Sequence, residues 1–439
     1  MEDHLSEMET STLRSDVHSY PRDLADFVGG AWRDPRFTPN LSTFRRVFSV
    51  CYQASLMREE ERPIIFRMIL GGPEIFPPNE GPPSGFHKLE FDKPRPFDEN
   101  EIRRLSPAAD FYRAMLGVKE DEDGVLCIWG IVYSGPRWIE TTQGGRSESP
   151  PLPPTLVVHA TTQGALEVYR GSEFLAKLDG GRLLGAQMDV FASNWMLDEF
   201  REVVDEISAL HIVARSRARE AWAPLDPELT HSIGQHALRR MISVLRDSRH
   251  GATLVFVPLE SVREFSRENG FVSFKYRFAD ERPRHRFRTL LVEIMNRLAE
   301  VHGRGDEPAY TRDVGWDEYR ESEDTKIAEL DEAVFEVAHL VASLAATDGA
   351  VVMSKRYELL GFGAEISGSL PDVTTVERAL DLEGERTMEE DTENVGTRHR
   401  SAYRLAGALP EAVVVVVSQD GSVRFVTQKN GVVTYWEQA

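Results

Sequence analysis

The sequence predicts an α/β (α+β) protein. A C-terminal mixed sheet flanked by helices follows a larger α/β region. Three observations carry this. The near-continuous apolar run Ala412-Val413-Val414-Val415-Val416-Val417 reads as a strand buried on both faces. Ile327, Leu330, Val334, Val337, Val341 and Leu344 recur at spacings of three and four, one apolar face of a helix over about 326–345. Upstream, short apolar runs broken by Gly, Pro and Asn signals alternate with helix-period stretches.

In chain order, residues 1–20 are polar, aperiodic and read as a mobile tail. Leu41, Phe44, Val47, Phe48 and Cys51 share helical spacing, and Pro63 ends that helix because the residue before a proline leaves the helical region. A strand is expected over 64–70, a Pro- and Gly-rich loop over 73–100, a helix over 107–116 and a buried strand over 125–133. Residues 144–154 read as an exposed linker or long loop, a place where the N-terminal region could split. The runs at 156–160 and 165–170 form a hairpin, extended by 173–178 to the Asp179-Gly180-Gly181 turn. Helices through Phe200–Leu210 and Ile233–Leu245 lead to a strand at 252–258. A half-buried strand at 271–278 and a helix at 290–301 follow. The domain boundaries read 1–20 tail, 21–320 N-terminal region, 321–439 C-terminal domain.

Within the C-terminal part, a strand at 350–353 follows the Asp348-Gly349 turn, and Gly361-x-Gly363 reads as a turn before a strand at 364–366. Residues 371–395 are acidic and loop-like. A helix over 402–408, the Val-rich strand and a hairpin around Lys429-Asn430-Gly431 close the chain.

Composition bounds the function. The chain has 439 residues and a formal net charge of −21, which opposes broad association with nucleic acid or anionic membrane. No apolar run is long enough to span a bilayer, and the N-terminus lacks a signal-peptide core, so the expectation is a cytoplasmic protein without a membrane or nucleic-acid partner. The two cysteines, Cys51 and Cys127, sit in apolar runs and read as buried free thiols.

The chemistry concentrates in Gly396-Thr397-Arg398-His399-Arg400-Ser401. Guanidinium forks match phosphate oxygens in pairs, and N–H groups at a helix start add donors. Other basic or histidine-bearing stretches carry less. The run 282–288 reads as a solvated turn, and His231 and His236 lack the i, i+4 spacing of a helical metal pair.

Asp348-Gly349-Ala350 beside a strand, then Gly396-Thr397-Arg398-His399-Arg400, then a buried strand ending in Ser418-Gln419-Asp420-Gly421 come in that order. Together with Gly361–Ile366, this series resembles the diadenylate cyclase (DAC) domain over roughly residues 321–439. The region before it resembles, less specifically, the sensor modules that precede DAC domains. The resemblance implies condensation of two ATP into cyclic di-AMP, with Mg²⁺ or Mn²⁺ and two sites facing across a homodimer or higher homo-oligomer. It implies Asp348 as metal ligand, and Arg398, His399 and Arg400 as catalytic residues holding the triphosphate. Gly349, Ala350, Gly396, Thr397 and Ser401 would line the nucleotide. A small-molecule ligand of unknown identity is implied for the sensor region.

This chain departs from the family in two places. Asp348 and Arg398 lie further apart, with the acidic 371–395 segment between them. Where the family has Ser-Glu-Glu, this chain has Ser418-Gln419-Asp420. Asp420 is either a second metal ligand or the first residue of an Asp-Gly turn. Alternatives to the cyclase are a degenerate domain that binds a nucleotide without turnover, or a cyclase using another nucleotide.

Overall fold

The structure is a computed structural model. It describes residues 18–32, 39–77, 81–82, 85–121, 123–135, 152–185, 188–248, 250–265, 270–279, 282–303, 313–419 and 421–438. The expected 1–20 tail and 144–154 linker fall mostly outside the described residues. The chain is mixed α/β, built as two compact units that divide after Ala186. The expected boundary at 320/321 does not hold, because strands on both sides of it share one sheet.

The N-terminal unit holds helices α1 (Pro21–Ala31), α2 (Leu41–Ser55) and α3 (Glu99–Leu105). Its strands are β1 (Arg58–Glu59), β2 (Arg62–Pro63), β3 (Phe66–Leu70), β4 (His87–Pro96), β5 (Ala114–Glu120), β6 (Leu126–Tyr133), β7 (Leu156–Thr162), β8 (Ala165–Arg170), β9 (Glu173–Asp179) and β10 (Arg182–Gly185). Eight of these form one sheet in the order β10-β9-β8-β7-β3-β5-β6-β4. Alternation along β3 sends Phe66, Met68 and Leu70 toward Leu24, Val28, Phe44, Val47 and Phe48 of α1 and α2. Arg67 and Ile69 point to the other face.

Two expectations fail in this unit. The loop assigned to 73–100 contains β4, whose Pro94 and Pro96 are tolerated because it is an edge strand. The helix expected over 107–116 is instead a 3₁₀ turn at Ser106–Ala108 leading into β5. Met115 and Leu116 are buried on opposite faces of the sheet, a strand period that the short apolar run did not resolve from a helical one.

The second unit contains α4 (Asn194–Ser216), α5 (Leu229–Asp247), β11 (Ala252–Val257), β12 (Val272–Arg277), α6 (Arg286–Gly303), α7 (Trp316–Glu321), α8 (Thr325–Ala345), β13 (Ala350–Ser354), β14 (Leu359–Ile366), β15 (Thr375–Ala379), β16 (Thr387–Asp391), α9 (Thr397–Ala408), β17 (Val413–Val417), β18 (Val423–Lys429) and β19 (Val432–Gln438). Nine strands form one sheet in the order β12-β14-β13-β11-β17-β18-β19-β15-β16. β17 is central and buried along its whole length, as its sequence predicts. Val413, Val415 and Val417 pack toward α4, α5, α6 and α8, while Val414 and Val416 pack beneath Ala402, Tyr403, Leu405 and Ala406 of α9. The β18–β19 hairpin turns on Asn430 (φ 51°) and Gly431 (φ 82°), the left-handed pair that an Asn-Gly turn requires.

The acidic 371–395 segment is not a loop. It forms the β15–β16 hairpin, laid parallel on β19 at the sheet edge. Val376 and Ala379 are the buried residues of its two strands; its carboxylates face outward or pair with cations, which hides the strand period from a hydrophobicity reading. Gly361 and Gly363 likewise lie inside β14 rather than in a turn before it.

Candidate functional site

Sheet register brings the separated motifs to one end of the second unit. β11 runs parallel to β13, with Leu254 opposite Val351, and antiparallel to β17, with Ala252 opposite Val417. Ala364 of β14 pairs with Ala350 on one side and Phe274 of β12 on the other. Gly251, Asp348-Gly349, Gly363, Lys275 and Ser418 therefore all lie at the amino end of the parallel pair β11 and β13.

Asp348 stands in the turn between α8 and β13, its side chain 97% exposed. Gly349, at φ +118°, is required by its neighbours: a Cβ there would lie 2.5 Å from the carbonyl carbon of Gly363. Gly363, at φ +58°, allows the stem of Lys275 to cross: a Cβ on it would meet Lys275 Cβ at 3.2 Å. Lys275 Nζ donates to the Asp348 carbonyl oxygen at 3.3 Å and lies 4.0 Å from Asp348 Oδ2. Ala350, expected at the nucleotide, is instead a core residue with 2% exposure.

The Arg-His-Arg motif occupies the first turn of α9, one turn earlier than the expected helix start. Gly396 is the N-cap and, having no side chain, contributes no capping bond. Thr397, Arg398 and Arg400 are exposed, and His399 and Ser401 half-buried. Arg398 reaches back to the sheet: a Cβ on Gly251 would sit 3.0 Å from its Nη1 and 3.4 Å from the Val417 carbonyl oxygen. Gly251 has φ +67°. The strand it precedes, β11, lies between β13 and β17, which Asp348 and Ser418 adjoin. Asp420 lies outside the described residues.

Below the motif, α9 is tied to the sheet. Arg424 on β18 donates to Tyr403 Oη at 3.2 Å and to Glu437 Oε1 at 2.9 Å, with its guanidinium 4.4 Å from the Tyr435 ring centroid. The acidic hairpin joins this network, since Arg378 donates to Glu437 Oε2 at 3.0 Å and Tyr435 Oη to Glu390 Oε2 at 2.6 Å.

The donor set fits a divalent ion held mainly by substrate. Asp348 offers one exposed carboxylate, and Mg²⁺ accepts one carboxylate completed by phosphates and water. Among the described residues no group of three or more His, Cys, Asp and Glu side chains could hold a metal.

The basic 282–288 run is not a solvated turn. His285 Nδ1 lies 3.1 Å and Arg284 Nη2 3.9 Å from Glu358, and Arg288 pairs with Glu206 at 2.8 Å. Sequence reading singled out Asp348 and Arg398 and left out Gly251 and Lys275, which sheet register brings to the same end. A Gly preceding an apolar strand was the only signal for the first. Lys275 had none beyond its place on a half-buried strand.

In the N-terminal unit, Arg67 is fully buried on the sheet face away from α1 and α2, directly opposite His159 of β7. Burial lowers the Arg67 pKa to about 9. The His159 ring lies tilted against that of Tyr169, with centroids 4.5 Å apart. Burial, then the Arg67 charge, pushes His159 well below the usual histidine range.

Residues 33–133, spanning α2 to β6 of this unit, match the model of a family described as "Probable sensor domain DACNV". No curated protein and no solved structure matches the chain. Among the described residues no helix is long and apolar enough to cross a membrane.

Proposed function

We propose that the chain is a diadenylate cyclase whose N-terminal unit senses a small molecule and gates the second unit. The observation that carries this reading is the convergence of Asp348-Gly349 and Arg398 at one end of the nine-stranded sheet, bridged by Gly251. The sensor-type match upstream supports the same reading.

In this reaction each ATP 3′-hydroxyl attacks the other's α-phosphorus, so two ATP give cyclic di-AMP and two pyrophosphates. Phosphoryl transfer depends on positioning and charge neutralisation more than on covalent help. Arg398 and Arg400, with the uncapped N–H groups of α9, hold the triphosphate. Asp348 would hold Mg²⁺ or Mn²⁺, which when bound would neutralise phosphate charge. Thr397, His399 and Ser401 add hydrogen bonds. One site takes one ATP, so two copies of the chain face each other. The cytoplasm, where ATP is available and thiols stay reduced, suits the unpaired Cys51 and Cys127.

The exposed single carboxylate favours a second reading, a nucleotide-binding domain that does not turn over. Incubating the purified chain with ATP and Mn²⁺ and identifying products by mass spectrometry separates the two. Cyclic di-AMP that disappears in Asp348→Asn at unchanged melting temperature is the expected result. Tight ATP binding without product across metals selects the second reading.

A further inference from the structure

We infer that Lys275, on the edge strand β12, is a ligand for the phosphate chain of the bound nucleoside triphosphate, an inference that rests on the nucleotide reading above. Lys275 lies outside every stretch that carries the motif resemblance. It reaches the site because the strand between it and Asp348 has no side chain in the way. Strand order is β12-β14-β13, and neighbouring strands lie about 4.8 Å apart. To reach the Asp348 turn, the Lys275 stem must pass over β14, and it does so at Gly363, where a Cβ would meet its Cβ at 3.2 Å and its Cδ at 3.3 Å. Gly349 packs on that same glycine from the other side. Two glycines at positive φ thus form the trough that delivers an ammonium group to Asp348.

The contacts at the tip are too weak to be the reason for this arrangement. Nζ donates to one carbonyl oxygen at 3.3 Å and stands 4.0 Å from a carboxylate that is 97% exposed. An exposed ion pair of that length adds little to stability. An ammonium has three donors, and one backbone acceptor leaves it able to take phosphate oxygens. A compact cation at the same end of the sheet as Arg398 would add to its grip on a polyphosphate. Asp348 would hold the divalent ion and Lys275 Nζ, 4.0 Å from its Oδ2, would donate to phosphate oxygens. No proton or covalent bond changes hands in this role, so Lys275 is a binding residue.

The test uses the full chain and 3′-deoxy-ATP, which lacks the attacking hydroxyl and cannot condense. Calorimetry is expected to show Lys275→Met weakening its binding about tenfold, with Lys275→Arg retaining most of the affinity. Adenosine, which has no phosphate, should bind all three chains alike, and the melting temperatures should agree. Equal affinity of Lys275→Met and the unchanged chain for 3′-deoxy-ATP overturns the assignment. So does an equal loss for adenosine, which would mark a structural effect. If the unchanged chain turns over ATP while Lys275→Met binds normally, only Lys275 falls. If the unchanged chain binds no 3′-deoxy-ATP, the nucleotide reading falls with it.

Discussion

Gly251 shows how a residue without a side chain can set the position of a charged one. A Cβ on it would press on the Arg398 guanidinium, 3.0 Å from Nη1 and 3.3 Å from Cζ. Gly251→Ala should therefore lower turnover, by roughly tenfold for a displaced phosphate ligand. It should also cost about 1 kcal/mol of stability from an alanine at positive φ. The double variant with Arg398→Ala separates the effects. If Gly251 acts through Arg398, adding Gly251→Ala to Arg398→Ala brings no further loss of turnover, whereas independent losses multiply. His159 gives a second prediction at this scale. Its folded-state pKa is depressed below the ordinary 6.5, so the neutral ring is the one the fold holds. Below about pH 6.5 the unfolded chain binds a proton that the folded one refuses, and stability falls as pH drops through that window. Thermal melts from pH 7.5 to 5 should show the N-terminal unit losing stability. In His159→Gln that slope should flatten; an unchanged slope would assign it to carboxylates instead.

Among the elements, α9 depends on a neighbour far from it in sequence. Arg424 joins Tyr403 of the helix to Glu437 of β19, and Arg378 and Glu390 of the acidic hairpin close the same network. Arg424→Met keeps the stem but strands Glu437 with Arg378 alone. A destabilisation of about 1–3 kcal/mol is expected, read as a lower melting temperature. ATP affinity should fall with it, because the Arg-His-Arg turn sits one helical turn above Tyr403. Elements with a clear period were legible in the sequence: α8 from its 3–4 spacing, β17 from its valines and the last hairpin from Asn430-Gly431. β15 and β16 were not, because Glu390 is held by Arg378 across the hairpin and by Tyr435 of β19, and Arg378 by Glu437 of β19, partners that no local window contains. Of the site, Asp348 and the Arg-His-Arg turn were visible as motifs. Gly251 and Lys275 were invisible because only the pairing of β11 and β12 with later strands places them there.

The pairing of β11 and β12 also fixes how the molecule divides. A fragment starting at residue 321 lacks β11, the strand between β13 and β17, and would expose the flanks of both. It should be insoluble or inactive, whereas a fragment starting at residue 188 keeps all nine strands and should retain ATP binding. Soluble, active 321–439 would refute this division. If two ATP-loaded copies must meet, specific activity of the full chain should fall on dilution below the dimer dissociation constant. Strict proportionality between rate and concentration in a verified monomer would exclude a face-to-face mechanism. β11 has one more consequence, for the order of events during synthesis. It leaves the ribosome about a hundred residues before β13, and later still come Val413–Val417 on its other side. Such long separations raise contact order and slow folding. The N-terminal sheet draws all its strands from the first part of the chain and can close first, while β11, six buried residues in a row, waits without a partner. That interval is the period in which the nascent chain is most exposed to aggregation, and substitutions that lengthen it should lower soluble yield before they alter the finished protein.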